Sequence, residues 1–395
     1  MKEMFKYDVV ILGGLGHVGL PLGIVLANTG LKVCLEDVNL ESVKIVESGK
    51  MPFIEYGAEP MLSKVLSEGT LKVSTNIQDA SQGKYLIIAI GTPVDEYLNP
   101  KTNKFLKFFD TIKPYIKKEQ TIIIRSTVSP NTCAQLERVF TSEEGWKISY
   151  CPERIVQGYS IKELHELPQI VAGTSEAAQE SAAQLFSRIS PKIIRTTIAE
   201  AELAKLFSNA WRYIQFAATN QFYMISENFG VDYSKVRYAL TEGYGRIANL
   251  PSPGFTAGPC LLKDTMQLAS VDPANFLMGH SAMMINEGLP NFIIERIRQK
   301  FNLSQSTVGI LGMSFKAEVD DIRDSLSFKI SKILKFNGAK VLMTDEFAKN
   351  SAFVPKEEVL RDSDVIILGV PHKAYKELNI PKHIYVVDIW DFLPK

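Results

Sequence analysis

The stretch YDVVILGGLGHVGLPLGIVLANTG, residues 7–30, decides the fold. Tyr7–Leu12 is a short apolar run that stops at glycine, and Leu20–Asn28 reads as a helix. Between them Gly14, Gly16 and Gly19 stand as G-x-G-x-x-G, with His17 and Val18 completing the turn. A strand, a glycine turn and a helix in that order form a phosphate cradle. The glycines allow a tight turn and close approach of a pyrophosphate, and the helix N-terminus offers free N–H groups. Asp37 ends the next strand, eighteen residues after Gly19. An acid at that place binds ribose hydroxyls and repels a 2′-phosphate, which favours NAD over NADP. A glycine turn beside a surface acid is the bland alternative, and the strand–helix context weighs against it.

The cadence continues outward. Lys32–Asp37, Tyr85–Ile90, Thr121–Ser126 and Ile148–Cys151 are further apolar strands with helix-like stretches between them. Such alternation implies a parallel sheet buried on both faces. The pattern restarts at Thr307–Gly312 and repeats at Lys340–Asp345, Asp364–Gly369 and Ile384–Asp388, without the glycine signature. Between the two sheets, Thr197 and Glu200 have capping-box spacing. Leu203, Leu206, Ala210, Ile214, Ala217 and Phe222 follow at helical intervals, and Gly230 supplies a stop. The helix spans about 30 residues, roughly 45 Å, and its apolar stripe serves either the core or a dimer seam. The expected architecture is α/β: two Rossmann-like parallel-sheet domains, 1–196 and 301–395, joined through a long central helix and a helical dimerisation region, 197–300.

Composition sets limits. With 44 basic and 44 acidic residues the chain lacks the cationic excess of a nucleic-acid binder. Its opening residues lack a signal-peptide core, and no apolar run approaches a membrane span. Cys34, Cys133, Cys151 and Cys260 show no paired spacing, which suits reduced thiols in a cytoplasm, and the five histidines show no metal-ligand pattern.

Several side chains could carry chemistry. Cys260 ends the proline- and glycine-rich run PSPGFTAGPC, residues 251–260, and Lys263 and Asp264 follow. A helix beginning after Cys260, together with Lys263, favours the thiolate, and Asp264 then shares its face. Lys205 and Asn209 lie one turn apart on the long helix, either at work or on a solvated face. Gly91-Thr92-Pro93 and Arg125-Ser126-Thr127 follow strands, where open α/β sheets bind ligands. Glu153 and Arg154 end the fifth strand; the carboxylate either orients a water or makes a loop salt bridge. Phe315, Lys316 and Arg323 follow the first strand of the second sheet, a ring and two cations suited to a nucleotide. An NAD cradle with a poised cysteine suggests a two-step oxidation. Hydride leaves an alcohol carbon, the thiolate adds to the aldehyde, a second hydride leaves the thiohemiacetal, and water releases the acid.

Together, GLGHVGLP, VCLEDVN, IAIGTPVD, IRSTVSPNT, CPERI, ELAKLFSNAWR, SPGFTAGPCLLKD and GMSFKAEVDDIRDS resemble the nucleotide-sugar 6-dehydrogenases, over nearly the whole chain and in the same order. That family oxidises UDP- or GDP-hexoses to uronic acids with two NAD. The resemblance implies that Cys260 is the nucleophile. It implies that Lys205 and Asp264 stabilise an oxyanion and position water, with Asn209 and Thr127 in support, and that Glu153 assists thioester hydrolysis. It assigns Gly14, Gly16, His17, Val18, Gly19, Asp37, Thr92, Thr127, Lys263 and Arg323 to NAD. It assigns Glu153, Arg154, Lys205, Asn209, Phe255, Gly258, Phe315 and Lys316 to the UDP-sugar. Arg246 resembles an arginine that reaches a neighbour's substrate, which implies a homodimer through the central helix. PERI resembles the branch acting on N-acetylhexosamines, such as UDP-N-acetylmannosamine or UDP-N-acetylglucosamine, while PCLLKD resembles the UDP-glucose branch. Gln157 stands where the UDP-glucose branch has a second acid, and His17 replaces the usual aromatic. A catalytically silent nucleotide-sugar binder is the rival of another class.

Overall fold

The computed structural model describes residues 4–140, 145–256 and 258–394, so Ala257 of the proline- and glycine-rich run lies outside them. The chain packs as two compact units, Met1–Phe207 and Ser208–Lys395.

The first unit is built on one sheet. Its strands are β1 (Tyr7–Leu12), β2 (Val33–Glu36), β3 (Leu71–Ser74), β4 (Gly83–Ile88), β5 (Thr121–Ile124), β6 (Lys147–Tyr150), β7 (Gln169–Gly173) and β8 (Ile193–Thr196). They lie in the order β3-β2-β1-β4-β5-β6-β7-β8. The continuous apolar character of β1 follows from burial on both sides. Val9 and Ile11 pack into one core with helix Gly19–Asn28, and Val10 and Leu12 pack into the other with Phe105, Phe109 and Leu136. Strand order reverses at β1, which pairs β2 on one side and β4 on the other. Its carboxyl end is therefore a switch-point crevice.

The all-parallel expectation needs one correction, because β6 and β7 pair antiparallel (Ser149↔Gly173, Tyr150↔Ala172). Strands β3, β7 and β8 also escape the sequence reading. β3 and β8 are four-residue edge strands in which Lys72 and Arg195 face solvent, so the apolar run that marks a two-sided strand is absent.

The long helix spans Ile198–Asn228, 31 residues. Its expected capping box is formed in both directions: Thr197 N–H donates to Glu200 Oε2 at 2.8 Å, and Glu200 N–H to Thr197 Oγ1 at 3.3 Å. It ends at Gly230, whose φ is 68°. The Val231 and Gly230 amides close back on the Ser226 and Glu227 carbonyls at 3.0 and 3.1 Å, a Schellman stop. The stripe divides by face, with Leu206, Ala210 and Ala217 buried and Leu203 and Phe222 exposed.

The second unit contains helices Leu261–Val271 and Leu277–Arg298 and a four-stranded parallel sheet. Its strands, β9 (Thr307–Leu311), β10 (Lys340–Thr344), β11 (Val365–Leu368) and β12 (Tyr385–Val387), lie in the order β10-β9-β11-β12. Asp345 follows β10 as Asp37 follows β2, yet here the carboxylate is used up internally. Its Oδ2 accepts the Met313 and Ser314 amides at 2.6 and 2.9 Å and lies 3.2 Å from Nε2 of His372. Its Oδ1 accepts the Phe347 and Ala348 amides at 2.9 and 2.8 Å. His372, fully buried, accepts the Glu318 amide on Nδ1 at 3.1 Å. The loop after β9 thus closes on its own side chains.

Burial pushes the Asp345 carboxyl up, but the His372 hydrogen bond and the Ala348 and Phe347 amides outweigh it and hold the carboxyl at about 2. An acid depressed in the folded state stabilises above its unfolded value, 3.8, and that contribution is lost as pH falls through about 2. The expected contribution at pH 7 is about 2 kcal/mol. The stability gap between wild type and Asp345→Asn in urea titrations should therefore be largest at neutral pH and shrink between pH 4 and pH 2.

Candidate active site

The cradle after β1 has the form a pyrophosphate needs. A Cβ on Gly14 would lie 2.8 Å from the Leu35 Cβ, and one on Gly19 2.5 Å from the Gly13 carbonyl oxygen. These two glycines are therefore required by backbone packing. At exposed Gly16 the nearest atom to such a Cβ is 3.7 Å away, so this position is open to a ligand. Gly13, outside the recognised pattern, makes the left-handed turn at φ 72°. Helix Gly19–Asn28 starts directly behind, with Val18 as its N-cap. Asp37 is half-buried and accepts the Leu15 and Asn39 amides, both at 3.0 Å, which sets its carboxylate at the loop. The residues present fit a dinucleotide with free ribose hydroxyls.

The other strand mouths of this unit are tied together by two residues that the sequence reading left without roles. Ser126 Oγ donates to the Ile90 carbonyl at 2.6 Å, joining the loop that carries Thr127 to the one that carries Thr92. Arg125, only 1% exposed, forms an ion pair with Glu153. It also donates to the Cys151 carbonyl at 2.8 Å and to Gln169 Oε1 at 2.6 Å, and its guanidinium lies 4.9 Å from the Phe186 ring. The other Glu153 oxygen accepts the Arg154 and Ile155 amides at 2.6 and 2.9 Å. Of the two readings open for Glu153, the salt bridge is therefore present, and it fixes the carboxylate at the mouth of β6. Arg154 is turned to the Pro168 carbonyl. The His17 ring packs at a tilt against Phe53 with centroids 3.9 Å apart, and its Nε2 lies 3.5 Å from Gln157 Nε2. The two departures from the family pattern thus adjoin each other. The one available signal for Arg125 was a cation directly after an apolar strand.

In the second unit Cys260 is the N-cap residue of helix Leu261–Val271 and is exposed. Cys34, Cys133 and Cys151 are buried. Burial pushes the Cys34 and Cys151 thiols up to about 12 and Cys133 well above its ordinary value, so none of the three is a nucleophile at neutral pH. The Asp264 amide closes the first helical turn on the Cys260 carbonyl at 2.8 Å. The Asp264 side chain is 1% exposed; Oδ2 accepts from Asn209 Nδ2 at 2.6 Å and Oδ1 lies 3.7 Å from Lys263 Nζ. Lys205, one turn before Asn209 on the same helix, is buried too, so neither residue belongs to a solvated face.

Gly258 has φ 104°, and a Cβ there would lie 2.5 Å from the Phe315 ring. The loop after β9 therefore packs on the loop that delivers Cys260. Arg323 pairs with Asp321 at 2.5 Å, and its pKa is raised by that hydrogen bond first and by the Asp321, Cys260 and Asp324 charges after it. Its guanidinium is thus within electrostatic reach of the sulfur. Lys316 is half-buried beside Phe315, Phe255 is buried in the core of this unit, and Arg246 is exposed with its guanidinium 6.0 Å from the Tyr244 ring.

Among the described residues no helix is long and apolar enough to cross a membrane. Residues 8–190, 199–287 and 309–395 match, in turn, the NAD binding, central and UDP binding domains of the UDP-glucose/GDP-mannose dehydrogenase family. The UDP-N-acetyl-D-mannosamine dehydrogenase of Methanococcus aeolicus is 30% identical, over 96% of this chain and 87% of its own. The solved UDP-D-ManNAc dehydrogenase of Pyrococcus horikoshii superposes with a TM-score of 0.90 at 26% identity, covering 98% of this chain and 96% of that one. The UDP-N-acetyl-mannosamine dehydrogenase Cap5O of Staphylococcus aureus gives 0.86 at 27% identity, covering 98% and 95%. The chain belongs to the UDP-glucose/GDP-mannose dehydrogenase family, NAD-dependent enzymes that oxidise the CH–OH carbon of nucleotide sugars.

Proposed function

We propose that the chain oxidises C6 of a UDP-N-acetylhexosamine, UDP-N-acetylmannosamine or UDP-N-acetylglucosamine, to the uronic acid through a thioester on Cys260. The observation that carries this is one exposed thiol at a helix N-terminus, with a buried carboxylate one turn on held by an amide. The N-terminal end of a helix favours negative charge, which suits a thiolate.

Gly14, Gly16, His17, Val18, Gly19, Asp37, Thr92 and Thr127 would hold NAD, and the family resemblance assigns Lys263 and Arg323 to the same cofactor. Bound there, NAD supplies the acceptor for the two hydrides that leave C6. Cys260 Sγ adds to the C6 aldehyde, forming a C–S bond while the carbonyl π electrons move to oxygen. Lys205 and Asn209 donate to that oxygen. After the second oxidation, water attacks the thioester carbon, the C–S bond breaks and Cys260 leaves as thiolate. Asp264 positions that water, and Glu153, pinned by Arg125, presents a fixed carboxylate for the same step. The overall balance is one water and two NAD consumed per acid formed. Gly258, Phe315, Lys316, Phe255 and Arg154 shape the UDP-sugar site.

Two features support the N-acetylhexosamine: the PERI motif with Gln157 after it, and relatives named for UDP-N-acetyl-D-mannosamine. PCLLKD favours UDP-glucose as the second reading. The product serves surface polysaccharide assembly in the cytoplasm, where free thiols persist. A homodimer through residues 197–300 is supported by Phe207, Trp211, Phe222 and Ile225, exposed along the central helix, and by exposed Phe229 just beyond its end. Exposed Arg246 then serves the neighbour's site.

A panel of UDP-N-acetylmannosamine, UDP-N-acetylglucosamine, UDP-N-acetylgalactosamine and UDP-glucose, followed by NADH absorbance, tests the substrate. An N-acetylhexosamine should give two NADH per sugar at the highest kcat/KM, and preference for UDP-glucose would overturn the assignment. Cys260→Ser should stall after the first oxidation or lose turnover, and full two-NADH turnover in that variant would exclude the thioester. Asp37→Ala removes a charged hydrogen-bond partner of the ribose and should raise the KM for NAD about tenfold or more; an unchanged KM would remove Asp37 from the site.

A further inference from the structure

Six residues before Cys260, the backbone of Gly254 is gripped from two directions. On one side is Asn220 of the central helix, fully buried. Its Oδ1 accepts the Gly254 amide at 2.8 Å, and its Nδ2 donates to the Gly254 carbonyl at 3.1 Å. One side-chain amide thus satisfies both polar groups of one residue, as a neighbouring strand would. The second Nδ2 proton goes to Asn286 Oδ1 at 2.9 Å, and Asn286, also fully buried, donates to the Tyr213 carbonyl at 3.1 Å. The two asparagines link the central helix, helix Leu277–Arg298 and the loop in one chain of hydrogen bonds. Both Asn220 N–H donors and its oxygen are used, so a rotation of that amide leaves buried groups unpaired.

On the other side is Trp390, from the C-terminal segment after β12. Its indole ring occupies the space a Cβ on Gly254 would take, so any larger residue at 254 displaces it. The ring packs edge-on to Phe255 with centroids 6.5 Å apart, and its Nε1 donates to the Leu368 carbonyl at 3.1 Å. Asp388 holds the segment in place by accepting the Trp390, Phe392 and Leu393 amides at 3.0, 2.8 and 2.7 Å. Among the described residues between this grip and Cys260, Phe255 is buried in the core and Gly258 lies under the Phe315 ring with its amide 3.4 Å from the Asp324 carbonyl. A run rich in proline and glycine has few internal hydrogen bonds to define its path. The position of the sulfur therefore depends on these outside contacts.

We infer that Asn220, Asn286 and Trp390 are positioning residues that set where Cys260 stands, acting through Gly254 without touching substrate. The inference rests on the reading of Cys260 as the nucleophile. It makes the last turns of the chain, far from Cys260 in sequence, part of the catalytic apparatus.

The test uses full-length Asn220→Ala and Trp390→Leu, with Gly254→Ala as a third variant that displaces the ring by a single methyl. Three quantities are read: steady-state kcat and KM, melting temperature, and the pH profile of iodoacetamide alkylation at Cys260, located by peptide mass. The expected result is a kcat at least tenfold lower, with the KM for NAD within twofold. The Cys260 alkylation rate should change at least threefold, with a displaced pH midpoint, in protein that melts cooperatively. Folded variants with wild-type kcat and a wild-type alkylation profile would overturn the inference, whatever their melting temperature. If Asn220→Ala does not fold, Trp390→Leu and Gly254→Ala decide. Should Cys260→Ala retain two-NADH turnover, the nucleophile reading fails while the alkylation profile still reports whether the anchor sets the sulfur.

Discussion

The 2.6 Å hydrogen bond from Asn209 to Asp264 is the contact on which the helix start at Cys260 depends. A carboxylate 1% exposed is costly unless its charge is met by donors and cations. Asn209 and Lys263 are those partners. Because Asp264 also closes the first turn behind Cys260, satisfying the carboxylate fixes the start of the helix, and the helix start fixes the thiol. The placement of Cys260 and the burial of Asp264 are one constraint here.

The two nucleotide-type sheets treat the acid after their second strand in opposite ways. Asp37 takes two backbone amides and stays at an open glycine turn. Asp345 takes four and is closed over by His372. The same strand–acid arrangement thus gives an open cradle in the NAD binding domain and a self-satisfied loop in the UDP binding domain. In the latter, the loop carries half-buried Phe315 and Lys316, with the Phe315 ring against Gly258.

Much of this was legible in the residues. β1, the glycine turn, Asp37, the capping box at Thr197 and Glu200, and the stop at Gly230 are local rules, and each is seen as expected. The helix start at Cys260 was legible for the same reason. The antiparallel β7 was not, because strand direction depends on which partner a short strand finds. Edge strands β3 and β8 carry no two-sided apolar signal. Arg125 and Asn220 were hidden more deeply. A buried arginine or asparagine looks like a surface residue until the groups it satisfies are known, and those groups lie 28 residues away at Glu153 and 34 at Gly254.

The central claim is a carbon–sulfur bond at Cys260 during turnover. The most direct measurement is acid quench of the enzyme in the steady state with NAD and its preferred UDP-sugar, followed by peptide mass analysis. The account predicts that the Cys260 peptide carries the mass of a UDP-uronyl thioester, which disappears when turnover is complete. Two NADH formed per sugar with no adduct on Cys260 at any quench time would contradict it.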